Sequence, residues 1–485
     1  MSPRVALAAI PESGRRALGL LVDLAGAGGS LWLVGGAVRQ LLAAEPLGDL
    51  DVAVPRGALG LGRRLADRLG ASFVVLDESR GAGRIVGAAG QALPVDLVDF
   101  RAPTLEGDLR ARDFTVNALA VSLADLLRDG SAEVTDATGG LGDLTDRVVR
   151  ACGSTAIADD PVRTLRGVRL AMRDGWRLEP ATEAAIRAGA PRLTDVAAER
   201  VRDELVGILG EPRAAAGLRM LDRLGALAVL LPESAPMRVT AQPLPHHFDV
   251  WEHSIRTVEG VDALLADLDA LAPWGAALRE HLGEPLGGGL ARRETLRLAA
   301  LLHDVAKPET RTEQDGRVRF FGHDTAGALR TGSIAERLRL PRRASQVLER
   351  LVAEHLRPMH LAQAGEITRR ARFRFFRDLG DDAPDLLLLA LADAAALTGG
   401  SPLAVWTGEG GAVVRDLMAG AEEAAAAETT PPLLRGEEVM EVFHLPPGPA
   451  VGRLLERARE AQAFGLVSTR EEAIDYLRRG DDPDA

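Results

Sequence analysis

Cysteine is nearly missing from this chain. Cys152 is the only one in 485 residues, so no intrachain disulfide and no cysteine-based zinc finger can form, and the usage suits a reducing cytoplasm. Lysine is as scarce: Lys307 stands alone, so nearly all positive charge is guanidinium, which grips phosphate with two prongs where ammonium acts as a point charge. A biased genome composition explains the same scarcity. Aromatic residues are 4%, too few for a broad base-stacking platform. No uncharged apolar run reaches the ~18 residues that a bilayer span requires, and the opening MSPRVALAAIPESGRR lacks the order of basic, apolar and small residues that marks a secretory signal. A cytoplasmic protein with no membrane partner is expected. Excess positive charge is absent too: 70 acidic residues against 58 basic ones give a net charge of -12, which excludes a uniformly basic nucleic-acid coat and leaves any polyanion to find a local patch.

The length predicts about three domains at ~150 residues each. LWLVGG, LDVAV and PVDLVDF read as strands of a small sheet, whereas segments after Cys152, such as PVRTLRGVRLAMRDG and ERVRDELVGILG, carry apolar residues at helical spacing. The expected class is therefore α+β and mostly helical. Prolines in TAQPLPHHF mark a hinge at residues 240–248, and GGSPLAVWTGEGG after Thr398 opens a C-terminal tail with an alanine-rich helix. These breaks predict a head at 1–154, a helical neck at 155–239, a second helical domain at 246–400 and a helical tail at 401–485. The last residues, RRGDDPDA, are expected to fray.

Chemistry concentrates in two places. In the first, the strand LWLV runs into Gly35-Gly36, a tight turn whose N–H groups can approach phosphate, and GDLDVAV then sets Asp49 and Asp51 two apart on one strand face. Two carboxylates on one face repel unless a cation lies between them, and Mg²⁺ takes a few carboxylates while leaving positions for water and nucleotide phosphates. Farther on, DDPVRTLRGVR reads as a helix start: Pro161 suits the first turn, Asp159 and Asp160 suit the positive end, and Arg163, Arg166 and Arg169 recur as a basic stripe. That stripe is either solvated or within reach of a triphosphate.

GGAVR, the spaced DLD, RDFTVNALA and DDPVRTLR, in this order over residues 31 to about 210, resemble the successive motifs of the class II tRNA nucleotidyltransferase and bacterial poly(A) polymerase family. The resemblance implies a polymerase-β-like head that adds C, A or both from CTP and ATP to tRNA or other RNA 3′ ends without a template. It assigns Asp49 and Asp51 to the Mg²⁺ site, and Gly35, Gly36 and Arg39 to the nucleotide phosphates. Arg112, Asp113 and Asn117 would read the ribose, Asp160 and Arg163 the base edge, and Arg166 and Arg169 would complete the nucleotide site. It makes the loop with Asp136, Gly139, Gly140 and Asp143 a flexible joint, and gives Glu199 and Arg202 the bracing of the neck. The chain departs from the family pattern at Gln40, where Asp is usual, and at Ala111, where Arg is usual.

In the second place, all but one of the nine histidines fall between His246 and His360. Imidazole and carboxylate are natural ligands for a divalent transition metal when thiolates are absent. The order of His253, His303-Asp304 and Asp393 resembles the HD phosphohydrolase superfamily. That resemblance makes these four residues ligands of Mn, Ni, Co or Fe, adds His323 and His355 as ligands of a second ion, places Lys307 near a phosphate, and implies hydrolysis of phosphate esters or 2′,3′-cyclic phosphates at damaged RNA ends. ITRRARFRFFRDLG, with Arg369, Arg370, Arg372, Arg374 and Arg377 among Phe373, Phe375 and Phe376, is the densest cationic stretch. It reads either as an amphipathic helix with solvated arginines or as a contact for RNA backbone. The tail segment around Pro447–Pro449 is similar to the C-terminal segment of part of the nucleotidyltransferase family and is expected to touch the tRNA elbow or the HD domain. Two alternatives stay open: a poly(A) polymerase, and an HD phosphohydrolase whose front domain only holds RNA.

Overall fold

The computed structural model describes residues 3–26, 29–87, 93–365, 367–421 and 431–480, and these pack as two compact units, Met1–Ile208 with Met220–Leu230 and Leu209–Arg219 with Leu231–Ala485. The first unit is built on a sheet of eight strands: β1 (Arg4–Ala6), β2 (Trp32–Val34), β3 (Leu50–Val54), β4 (Ser72–Asp77), β5 (Ala82–Val86), β6 (Val95–Asp99), β7 (Leu119–Ser122) and β8 (Ser131–Asp136). Their order is β1-β8-β7-β2-β3-β6-β5-β4. Only β3 and β6 are parallel neighbours; the other pairs are antiparallel. Leu33, Leu50, Val52, Leu97 and Val121 are buried in its core with Leu18, Leu21 and Leu65 from the covering helices. The sheet is larger than the three strands that the sequence marks, because SFVVLD and AGRIV lack the alternation that announces a half-buried strand.

Register, rather than sequence proximity, assembles the polar face. Asp51 on β3 lies opposite Asp96 on the parallel β6, and Asp96 lies opposite Arg84 on the antiparallel β5. Directly opposed residues project from the same face. Three charged side chains therefore stand in one row.

The loop expected to flex between sheet and helices is instead clasped. The Asp136 carboxylate accepts the N–H groups of Thr138, Gly139, Gly140 and Leu141 at 2.8–3.0 Å. A Cβ on Gly140 would lie 2.1 Å from the Thr115 carbonyl oxygen, so glycine is required where the turn meets the backbone. Asp143 accepts the Thr115 hydroxyl at 2.7 Å and closes the joint.

The second unit centres on the helix Arg292–Leu302, which is buried on every face. Its charges survive burial because each has a partner. Arg292 reaches Asp382 at 2.9 Å and Asp385 at 3.0 Å, and Arg297 reaches Asp262 at 2.7 Å. Against it pack helices Val250–Ala266, Arg342–Glu354 and Ala383–Ala396, and helix His323–Arg337 packs on Arg342–Glu354. Beyond Cys152 strands do not vanish, contrary to the sequence reading. Thr312–Gln314 and Arg317–Arg319 form a hairpin around Asp315-Gly316, both with positive φ, the two-residue turn that an Asp-Gly pair favours.

The tail helices Gly436–Phe443, Pro449–Ala463 and Arg470–Arg479 share an apolar cluster that includes Val439, Ala461 and Leu477. Helix order extends through Arg479, farther than the expected fraying; residues 481–485 and most of the alanine-rich stretch, 422–430, lie outside the described residues. Among the described residues no helix is long and apolar enough to cross a membrane.

Candidate active sites

The head site begins where β2 ends. Gly35 follows Val34 with φ of 71°, and a Cβ on it would sit 2.8 Å from Asp51 Oδ2. Glycine is needed for both conformation and space. The Gly36 N–H donates to that same oxygen at 3.2 Å. Asp49, Asp51 and Asp96 bring one oxygen each within 4.8 Å of one another. Burial pushes the Asp51 carboxyl up to about 6, and the charges of Asp49 and Asp96 add to it. Like charges confined at this distance call for a cation, and an all-oxygen donor set suits a hard divalent ion. Replacing Gly35 by Ala is expected to destabilise the head by about 1–2 kcal/mol through the left-handed backbone, and to displace Asp51; thermal unfolding and the cation dependence of nucleotide addition would read the two effects.

From this cluster a ladder of polar side chains runs into the helices. Arg39, buried at 7% exposure, donates to Asn117 Oδ1, and Asn117 donates to Asp113 Oδ1 at 3.3 Å. Asp113 Oδ2 accepts Arg166 at 3.1 Å, Arg166 reaches Glu204 at 2.7 Å, and Arg169 lies 3.1 Å from Glu204. Burial and the neighbouring Arg173 bring Arg39 down to about 10. Burial alone would raise Asp113, but Arg166, the Phe114 N–H and Arg163 overcome it and hold the carboxyl at about 2. Because the folded value lies below the ordinary 3.8, this group's stabilisation is full above pH 3.8 and is lost as pH falls through 2. It is on the order of 2 kcal/mol. Acid titration of unfolding is expected to show the wild type converging on Asp113→Asn between pH 4 and 2.

The structure brings together Gly35, Gly36, Arg39, Asp49, Asp51, Asp113, Asn117, Arg166 and Arg169, but turns three expected nucleotide contacts elsewhere. Arg112 is held by the fully buried Asp108 at 2.8 Å. Arg163 donates to the carbonyls of Ala111, Arg112 and Ala156 at 3.1–3.3 Å, and Asp160 pairs with Arg200 at 2.7 Å. Of the stripe, Arg163 is buried, while Arg166 and Arg169, 36% and 39% exposed, are partly solvated and paired with carboxylates. Helix Arg163–Ala171 begins after the Pro161 turn, so Asp159 and Asp160 do not cap it. On helix Ala198–Gly210 the ties to Asp160, Arg166 and Arg169 come from Arg200 and Glu204, while Glu199 is exposed. The sequence reading missed Asp96, Arg84 and Glu204; only the alternation in PVDLVDF hinted at the first.

The second unit gathers its histidines more tightly. His253 stands on helix Val250–Ala266, His303 and His355 end helices, His323 opens one, and Asp393 lies on Ala383–Ala396. His253 Nε2 is 3.3 Å from His303 Nε2 and 2.9 Å from Asp393; His303 Nε2 is 3.2 Å from Asp304. On the other side of Asp304, His323 Nε2 is 3.3 Å from its second oxygen and 3.2 Å from His355 Nε2. Asp304 is thereby common to two ligand groups, His253-His303-Asp304 and Asp304-His323-His355.

Ring orientation explains why these nitrogens converge. The Nδ1 atoms of His303, His323 and His355 lie 2.7–2.9 Å from carbonyl oxygens three residues earlier. A carbonyl only accepts, so Nδ1 carries a proton and Nε2 faces inward, where each ring in its neutral form offers a lone pair to a cation. Facing lone pairs at such distances fit a bound cation. Burial pushes His355 down to about 4, which keeps it neutral, while the carboxylate of Asp304 is held well below its ordinary range, against burial, by His303 and Lys307. Lys307 Nζ is 2.6 Å from Asp304, and a cavity of about 820 Å³ opens beside these groups, lined also by Arg319, Phe321 and Met359.

The arginine stripe on helix Arg369–Leu379 faces its own chain. Arg370 reaches the fully buried Glu460 at 2.8 Å, Arg374 reaches the same carboxylate, Arg372 meets Asp416 at 2.8 Å, and Arg369 lies over the Phe464 ring. Phe373 and Phe375 are buried.

Comparison with known proteins agrees with this geometry. Residues 31–150 match the poly A polymerase head domain, residues 175–237 the probable RNA and SrmB-binding site of polymerase A, and residues 250–396 the HD domain. An A-adding tRNA nucleotidyltransferase of Deinococcus radiodurans is 38% identical over 92% of this chain and 94% of that protein. A CC-adding tRNA nucleotidyltransferase of Geobacter sulfurreducens is 31% identical over 95% of this chain and 94% of its own length. The fold is also that of the Thermotoga maritima CCA-adding enzyme solved with tRNA, with a TM-score of 0.59 at 19% identity over 99% of this chain and 100% of that one. On these matches, the chain belongs to the tRNA nucleotidyltransferase and poly(A) polymerase family and carries an HD domain.

Proposed function

We propose that this enzyme adds C, A or both from CTP or ATP to the 3′ end of tRNA in the cytoplasm, using Mg²⁺ in the head. The observation that carries the reading is the group of Asp49, Asp51 and Asp96 beside the Gly35-Gly36 turn. In the reaction the RNA 3′-hydroxyl gives up its proton to solvent, its oxygen bonds to the α-phosphorus of the nucleotide, the bond to the bridging oxygen of the β-phosphate breaks, and pyrophosphate leaves. A divalent ion held by the carboxylates would spread the phosphate charge. The Gly36 N–H fixes Asp51, and the ladder from Arg39 to Glu204 fixes its own cations before substrate arrives, so those groups need little reorganisation. Asp160 and Arg163 are assigned the base edge, as in the family; each would first have to leave the partners described above. End-sequencing of a tRNA transcript lacking its terminal CCA, after incubation with CTP and ATP singly and together, tests the reading. Short additions of C, A or CCA support it, long adenosine tracts favour a poly(A) polymerase, and no addition refutes it.

A second activity is favoured by the two ligand groups that share Asp304. We assign His253, His303, Asp304 and Asp393, with His323 and His355, to a pair of transition-metal ions among Mn, Ni, Co and Fe, and the site to hydrolysis of phosphate esters or 2′,3′-cyclic phosphates. Lys307 supplies the one lysine charge in the chain beside Asp304, where it can hold a phosphate oxygen. The Arg369–Arg374 stripe would meet RNA only after leaving Glu460 and Asp416.

A further inference from the structure

The row across the head sheet holds one charge that the proposed reaction does not use. Arg84 forks onto Asp96, with Nε 2.7 Å from Oδ1 and Nη2 2.7 Å from Oδ2, and the same Nη2 reaches Asp49 Oδ2 at 3.2 Å. It is placed by the β5–β6 register, directly opposite Asp96. Arg84 bonds directly to two of the three carboxylates, and the third, Asp51, is held by the Gly36 N–H.

We propose that Arg84 is a positioning residue of the nucleotidyl-transfer site: a built-in counter-ion that holds Asp49 and Asp96 together without metal and yields them to the incoming divalent cation. The proposal rests on the assignment of the carboxylate cluster to that cation. The physical reason is competition for the same oxygens. An ion drawing on Asp96 meets two oxygens that both already accept Arg84, one drawing on Asp49 Oδ2 meets a third, and a guanidinium a few ångströms from a doubly charged ion repels it. Because the Arg84 side chain is 38% exposed and the Asp49 side chain 35% exposed, solvent weakens this competition without cancelling it. Arg84 therefore sets the cation concentration at which the head fills. It also keeps the metal-free carboxylates from splaying.

Two measurements on the full chain test this. In wild-type protein, arginine-directed dicarbonyl labelling followed by peptide mass spectrometry is expected to modify Arg84 faster when Mn²⁺ and a nucleotide are present than with chelator, since the metal frees its nitrogens; an unchanged or slower rate overturns the proposal. In equilibrium Mn²⁺ titrations, Arg84→Met is expected to bind at the head ~3–5-fold more tightly than wild type, the upper end of the scale of a partly exposed ion pair. Arg84→Lys, which keeps the charge but loses the fork, should fall between wild type and the Met variant. Equal or weaker binding by the Met variant contradicts competition, and if that variant does not fold, the labelling result stands as the test. An Asp49→Asn, Asp51→Asn variant serves as reference: if it binds as many Mn²⁺ equivalents as wild type, the assignment of the cluster itself has failed, whereas a lost equivalent together with an unresponsive Arg84 defeats only the present proposal.

Discussion

A His303→Ala, Asp304→Asn variant is expected to lose phosphate release from 2′,3′-cyclic ends by more than about a hundredfold, since losing direct ligands exceeds the 10–100-fold cost of losing the groups that orient them. Nucleotide addition should stay within about twofold of wild type, because the carboxylate cluster and its ladder lie in the other compact unit. The choice of residues matters. Asp304 belongs to both ligand groups and His303 to one, so the pair empties the site, whereas His355→Ala removes a ligand from one group alone and should lower the bound metal by one equivalent. Phosphate release and metal content measured on the same samples would separate these outcomes. Retained hydrolysis in the double variant would remove the HD domain from the reaction.

Arg166→Ala is expected to be the most destabilising single change in the head ladder. It strips a cation from Asp113, 11% exposed, and removes one of two cations from Glu204, 9% exposed. Asp113 keeps Arg163 and the Phe114 N–H, Glu204 keeps Arg169, and Arg166 is itself 36% exposed, so the cost is that of a lost charged hydrogen-bond partner, about 1–3 kcal/mol, rather than that of a fully stranded buried charge. Arg166→Lys should recover part of the loss, since an ammonium cannot match the guanidinium's two-pronged reach to both carboxylates. Urea unfolding of the head at pH 7 would read it, and a change below about 0.5 kcal/mol, the scale of ordinary surface substitutions, would mean that the ladder bears little of the head's stability.

Both predictions turn on residues that differ in how well the sequence announces them. Asp49 and Asp51 are legible because extended residues two apart share a face and Asp49 leads directly into β3 at Leu50, and Gly35-Gly36 because a turn after an apolar strand has few other composers. Asp96 is not legible, since its place beside Asp51 follows from the parallel pairing of β3 with β6, forty residues apart in the chain, and local pattern carries no register. The histidines of the HD domain announce themselves by type and order, yet the sharing of Asp304 between two groups is a property of packing among helices. Arg112 and Arg163 show the opposite limit: an arginine in a motif reads as a phosphate contact, but with Asp108 or backbone carbonyls near, the same guanidinium is satisfied internally. The arginines of residues 369–377 repeat the lesson, because their acidic partners Asp416, Glu456 and Glu460 come from distant segments that no local window includes.

The account stands on the carboxylates that gather a cation beside a nucleotide. Its most direct test is single-turnover incorporation of labelled CTP or ATP onto a truncated tRNA transcript by an Asp49→Ala, Asp51→Ala variant whose folding is verified by circular dichroism. A fall of at least about a thousandfold is predicted, since each lost stabiliser of transition-state charge removes two to three orders of magnitude. Incorporation at the wild-type rate would contradict the account.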